Sequence, residues 1–105
     1  VVDVALEAGR ILLKNGGEIF RVEETMTRIC NRFHIDQVDI FTLSHAIFVT
    51  AKSGEEEVYT KVKNVPLSGT HLGIVAEVNS LSRAISAGRM SLEEAQKRLK
   101  EIDKI

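Results

Sequence analysis

Apolar positions repeat at helical spacing near both ends of the chain and alternate in its middle, so the pattern alone separates helical from strand regions. Val4, Ala5, Ala8, Ile11 and Leu12 form one stripe, and Val2, Leu6 and Leu13 a second, which predicts a helix over Val1 to Lys14 buried on more than one side. Ala5, Ala8 and Gly9 are small enough to let another helix approach. Asn15-Gly16-Gly17 supplies residues that end a helix at positive φ. From Glu18 to about His34, the residues Ile19, Val22, Met26, Ile29, Cys30 and Phe33 share a face, with Glu23, Glu24, Thr27, Arg28 and Asn31 mostly opposite. The two helices are expected to pair as a hairpin.

The period then changes to two. Gln37 to Leu43, His45 to Lys52 and Glu56 to Lys63 are rich in Val, Ile, Phe, Thr and Tyr, which suit a pleated surface. Ser53-Gly54 marks a tight turn, and the expected unit is a three-stranded antiparallel meander. Phe41 and Leu43 share one face of its first strand, and Ile47, Val49 and Ala51 align on the next. A loop carrying Pro66 leads to a third helix from about Thr70 to Ala87, with the stripe Ile74, Val78, Leu81 and Ile85. Ser91-Leu92-Glu93-Glu94 reads as a capping box opening a fourth helix, striped by Leu92, Ala95, Leu99 and Ile102. The expected fold class is α+β: two layers in the order ααβββαα, with the meander packed on the helices.

Composition narrows the function classes. The chain has 105 residues and a formal charge of −1 from 14 Lys+Arg and 15 Asp+Glu, and is 44% apolar. It is sized for a single domain over 1–105. A near-neutral balance without a basic cluster argues against nucleic acid and against an anionic membrane surface as partners. One cysteine, Cys30, makes no internal disulfide and suits a reducing compartment. The longest uncharged run, Ile40 to Ala51, is too short to cross a bilayer. A start on Val1 and an end in mid-pattern at Ile105 suit a piece of a longer chain.

The densest polar cluster is Glu18, Arg21, Glu23, Glu24 and Arg28, opening the second helix. Its plainer reading is a solvated helix start, with carboxylates meeting the positive dipole end and Glu24 and Arg28 paired at i,i+4. Its functional reading is a grip on a small ligand, with Gly16-Gly17 leaving room and Glu18 and Arg21 taking an amine and a carboxylate. Asn79 interrupts the apolar stripe of the third helix. It either caps a loop or the end of the second helix, or joins Arg83 in the polar site of Glu18 and Arg21. Cys30, His34, His45 and His71 fit no compact metal spacing, so no metal and no cofactor is expected. His45, after Ser44 and near Thr42, is the one position where a nucleophile and a base can be imagined.

Asn15-Gly16-Gly17-Glu18-Ile19-Phe20-Arg21-Val22-Glu23-Glu24-Thr25 resembles the opening motif of the bacterial threonine/serine exporter family. Asp39-Ile40-Phe41-Thr42 with Ile47-Phe48-Val49 resembles its strand pair. Leu72-Gly73 with Val78-Asn79-Ser80-Leu81-Ser82-Arg83 resembles its next helix, and Ala87-Gly88 before Ser91-Leu92-Glu93-Glu94-Ala95 its closing turn. The resemblance implies the soluble N-terminal domain of a longer membrane protein, on the cytoplasmic side of the bacterial membrane. Its implied partners are a membrane-spanning part, on the same chain or a partner subunit, and threonine or serine. Carried over by position, the motif residues are Gly16, Glu18, Arg21, Glu23 and Glu24, then Asn79, Ser82 and Arg83.

The leading expectation is an accessory domain that senses substrate, or gates or assembles the membrane part, with Gly16, Glu18, Arg21, Glu24, Asn79 and Arg83 as substrate-binding candidates. The alternatives are a small hydrolase-like domain drawing acid and base from Glu18, Glu24 or His45, and a homo-oligomerisation module without a ligand. No catalytic residue is assigned.

Overall fold

A computed structural model describes residues 1–35, 37–53, 57–65, 69 and 71–104, with the backbone alone for 53 and 57–63. The expected Ser53-Gly54 turn, Pro66, and a helix start at Thr70 lie outside the described residues. The elements are α1 (Val2–Lys14), α2 (Ile19–Arg32), β1 (Gln37–Leu43), β2 (Ala46–Ser53), β3 (Glu57–Asn64), α3 (Leu72–Ser86) and α4 (Leu92–Asp103).

Helix ends follow local chemistry. After α1, Gly16 sits at φ +88° and donates its N–H to the Leu13 carbonyl at 3.2 Å, while Gly17 donates to Leu12 at 2.7 Å. This pair of reversed bonds closes a helix when the residue past its end is left-handed. Gly88, at φ +76°, ends α3 in the same way, through its own bond to Ile85 and that of Arg89 to Ala84. His34 takes the left-handed position after α2 at φ +60°, where a glycine would be unstrained. At the start of α4 both halves of the capping box form, with Glu94 N–H on Ser91 Oγ at 3.1 Å and Ser91 N–H on Glu94 Oε1 at 3.4 Å.

α1 is the spine. Val4, Ala5, Leu6, Ala8, Gly9, Ile11, Leu12 and Leu13 are all buried, and the helix touches α2, α3, α4 and β2. Its second apolar stripe is therefore required, because a helix enclosed on several sides has no solvated face to keep polar.

The sheet has the strand order β1-β2-β3, antiparallel throughout. The expected layering needs correction. α2 lies on β1 and α1 on β2, whereas among the described residues β3 has extensive contact with β2 alone. The unit that packs together is therefore ααββαα, and the expected packing of a whole three-stranded meander on the helices does not hold. α3 and α4 also rest on other helices and not on the sheet. At the outer strand, Thr42 N–H donates to Glu23 Oε2 at 3.0 Å. This bond ties α2 to the β1 edge and satisfies an amide there.

The faces of the strands divide as the alternation indicates, and the register shows which one meets the helices. Register pairs Val38 with Ala51, Ile40 with Val49 and Thr42 with Ile47, so these six look toward the helices. Phe41 and Leu43 are on the opposite face, both exposed, and Phe41 pairs with Phe48 at a ring separation of 6.2 Å. Two expected stripe members are likewise exposed at their helix starts, Ile19 on α2 and Leu72 in α3.

α4 is held by Ala95, Leu99 and Ile102, and by an ion cluster that no sequence pattern announces. Arg10 donates to Asp103 Oδ2 at 2.6 Å and pairs with Glu7, while Lys14 Nζ lies 3.4 Å from Asp103 Oδ1. Burial pushes the Asp103 carboxyl up, but the hydrogen bond and charge of Arg10, with Lys14, outweigh it and hold it below the usual carboxylate range. The hydrogen bond that Arg10 donates to Glu7, opposed by burial and assisted by Asp103, raises Arg10 further above its already high value. A depressed carboxyl contributes stability that is present above its unfolded pKa and lost as pH falls through the folded one. The stability gap between the protein and its Asp103→Asn variant is thus expected to stay constant at neutral pH. It should narrow from about pH 5 downward, as read by urea unfolding at a series of pH values.

Candidate functional site

The region that gathers most of the sequence candidates is the seam between α2 and α3. Thr25 Oγ1 donates to Asn79 Oδ1 at 3.4 Å, and Arg28 Nη1 to Ser82 Oγ at 3.0 Å. Both contacts join residues 54 apart, so the two helices run parallel, side by side. Ser82 in turn donates to the Asn79 carbonyl at 2.9 Å. Thr25 and Ser82 are fully enclosed, and their bonds to Asn79 and Arg28 make a polar line through an apolar core tolerable.

Outside this seam, Phe20, Glu24, Thr27, Arg28, Arg32 and Ser86 line an open groove of about 630 Å³ along α2. Glu24 Oε1 accepts from Arg28 Nη2 at 2.9 Å at the groove wall. Arg83 lies between Asn79 and Ser86 on the same face of α3, at i+4 and i−3, and is exposed. Arg32 covers the Phe33 ring at 5.7 Å.

The structure separates the other candidates. Asn79 is engaged with Thr25 in mid-helix, and so caps neither a loop nor the end of α2. Glu18 is the N-cap residue of α2 but makes no side-chain cap bond, and Arg21 stacks on Phe20 at 5.6 Å. With α2 and α3 in parallel, Glu18 precedes the level of Arg83 by roughly 16 Å at 1.5 Å per residue. A single free amino acid cannot bridge that span, whereas Glu24, Arg28 and Arg83 are within one or two turns of each other.

The glycine pair is explained by the turn. A Cβ on Gly17 would lie 2.8 Å from the Leu12 carbonyl oxygen, a backbone atom that cannot step aside. The space beside Gly17 is thus filled by α1 itself and is not available to a ligand. Gly16 serves the turn through its φ.

The other chemistry-bearing residues do not converge. His45 contacts only its neighbour, with Ser44 Oγ 3.1 Å from Nδ1 in the exposed turn between β1 and β2. Glu24 faces Arg28, and among the described residues no hydrogen bond joins it to His45. Cys30 is fully buried, which pushes its thiol up and fits a core position. Sequence reasoning missed the roles of Thr25 and Arg32. Thr25 stands at i+4 from Arg21 and i−3 from Arg28, and Arg32 at i+4 from Arg28, a spacing that could have flagged the polar stripe facing α3.

Comparison with known proteins gives one match of wide extent. The family model of the threonine/serine exporters, ThrE, matches residues 3–105. Neither a curated protein nor a solved structure matches. Among the described residues no helix is long and apolar enough to cross a membrane.

Gly17→Ala separates the two readings of the turn. A clash with backbone predicts a loss of about 1–3 kcal/mol of unfolding free energy, seen in urea titration. Unchanged stability would return the glycine to the list of ligand contacts.

Proposed function

We propose a role within the threonine/serine exporter family, to which this chain belongs: an accessory domain on the cytoplasmic side of the bacterial membrane. It senses the transported amino acid and gates or assembles the membrane-spanning part, on the same chain or a partner subunit. The single observation that supports a sensing role is the exposed Glu24–Arg28 pair, at 2.9 Å, in the wall of a groove large enough for a small polar molecule.

The chemistry is that of a zwitterion. A free amino acid offers an ammonium to Glu24 and a carboxylate to Arg28 and Arg83, replacing one ion pair by two charge-assisted sets of hydrogen bonds. Opening the existing pair costs little, since solvent-facing ion pairs contribute about 0–1 kcal/mol. Thr27 and Ser86 provide hydroxyls for a ligand that itself carries one. Asn79 fixes the spacing of the helices behind the site, Gly16 fixes the turn before it, and Glu18 and Arg21 stand at its approach.

Calorimetric titration with threonine and serine tests this directly. Heat is expected at millimolar ligand, with affinity weakened about tenfold or more in Glu24→Gln, as loss of a charged hydrogen bond predicts. Absence of heat in the unmodified chain removes the sensing role and leaves gating or assembly.

A further inference from the structure

Ser82 does not line the groove, yet it holds a side chain on which the groove depends. It is fully enclosed on α3, and its hydroxyl proton is committed to the Asn79 carbonyl, one turn back, at 2.9 Å. A hydroxyl has one proton and two lone pairs, so Ser82 Oγ can act toward α2 only as an acceptor. It accepts from Arg28 Nη1 at 3.0 Å.

This bond does more for Arg28 than for Ser82. A helical serine that donates to the carbonyl one turn back has already satisfied its donor, and alanine at the same position would favour the helix. Folding of α3 therefore does not require a hydroxyl here. Arg28 is in a different position. Its side chain is 26% exposed against 59% for Glu24, and its other amino group, Nη2, donates to Glu24 Oε1 at 2.9 Å. The guanidinium is thus held by two anchors on different nitrogens, one enclosed and one in solvent.

The solvated anchor is the one a ligand removes. An ammonium arriving at Glu24 takes the carboxylate that held Nη2. With Ser82 in place, Nη1 stays anchored and the freed Nη2 is left to meet the ligand's carboxylate. Without Ser82 the guanidinium, on a long and flexible stem, has no other hydrogen-bond partner among the described residues and turns out to water. Ordering it again then counts against binding.

We propose that Ser82 is a positioning residue for the amino-acid groove, a fixed buried acceptor that keeps Arg28 in its binding orientation while the ligand displaces it from Glu24. This role rests on the sensing reading of the groove.

Ser82→Ala removes the acceptor and adds no bulk. In the ligand-free chain, heteronuclear NMR is expected to show slowed rotation of the Arg28 guanidinium, and S82A to release it. Calorimetric titration with threonine is expected to give an affinity about fivefold weaker in S82A than in the unmodified chain, as the ordering of one long side chain predicts. Ser82→Thr, whose hydroxyl can bond the carbonyl one turn back in the same way, is expected to restore both. An Arg28 guanidinium as mobile in the unmodified chain as in S82A overturns the role. So does equal affinity in the two chains, or an S82T chain that folds and binds no better than S82A. Where the added methyl keeps S82T from folding, the mobility and affinity of S82A decide. In each of these cases heat from the unmodified chain leaves the sensing reading standing, whereas no heat from it overturns that reading and this role together.

Discussion

One close approach organises this domain. A Cβ on Gly9 would lie 2.5 Å from Met26 Sδ and 3.4 Å from Ile47 Cδ1, so α1, α2 and β2 meet where α1 has no side chain. Met26 and Ile47 are themselves fully buried, so a side chain at Gly9 would have to displace packed core atoms. With that point fixed, α2 lies close enough to the sheet for Glu23 to reach the Thr42 amide, and α3 can pack against α1 and α2 together. The parallel seam of Thr25, Arg28, Asn79 and Ser82 follows from this arrangement, as does the groove outside it.

The seam divides polar residues by depth. Thr25 and Ser82 are enclosed and both bond Asn79, because an unpaired buried polar group costs about 1–3 kcal/mol. Glu24 and Arg83 are solvated, and Arg28 spans the two zones with one amino group on Ser82 and another on Glu24. Arg28 is thus the residue through which a ligand in the groove would be felt at the contact between the helices. Such a link suits a domain that reports on its ligand to something else, because a charge drawn outward at Glu24 pulls on a bond that joins α2 to α3.

What the sequence reveals depends on how local the cause is. Asn15-Gly16-Gly17, Ala87-Gly88 and Ser91 with Glu94 act within a few residues, and their turns and cap are legible as written. The faces of β1 are not, because Val38 and Ile40 on one side and Phe41 and Leu43 on the other are equally apolar, and only pairing with β2 decides between them. The Arg10–Asp103 clamp and the α2–α3 seam join residues 93 and 54 apart, and nothing in a single sequence marks such partners. The Thr42–Glu23 bond between β1 and α2 belongs to the same class, joining residues 19 apart. In the candidate site, Glu24 and Arg83 are legible as polar residues on helix faces. The distance that separates Glu18 from Arg83 appears only once the helices are seen to run in parallel.

The central claim is that the bare position at Gly9 sets this packing, and Gly9→Val tests it most directly by urea unfolding. Overpacking against Met26 and Ile47 predicts a loss of about 1–3 kcal/mol in unfolding free energy, with the cooperative transition retained. Unchanged or increased stability, as helix propensity alone would give on replacing a glycine, would contradict the account.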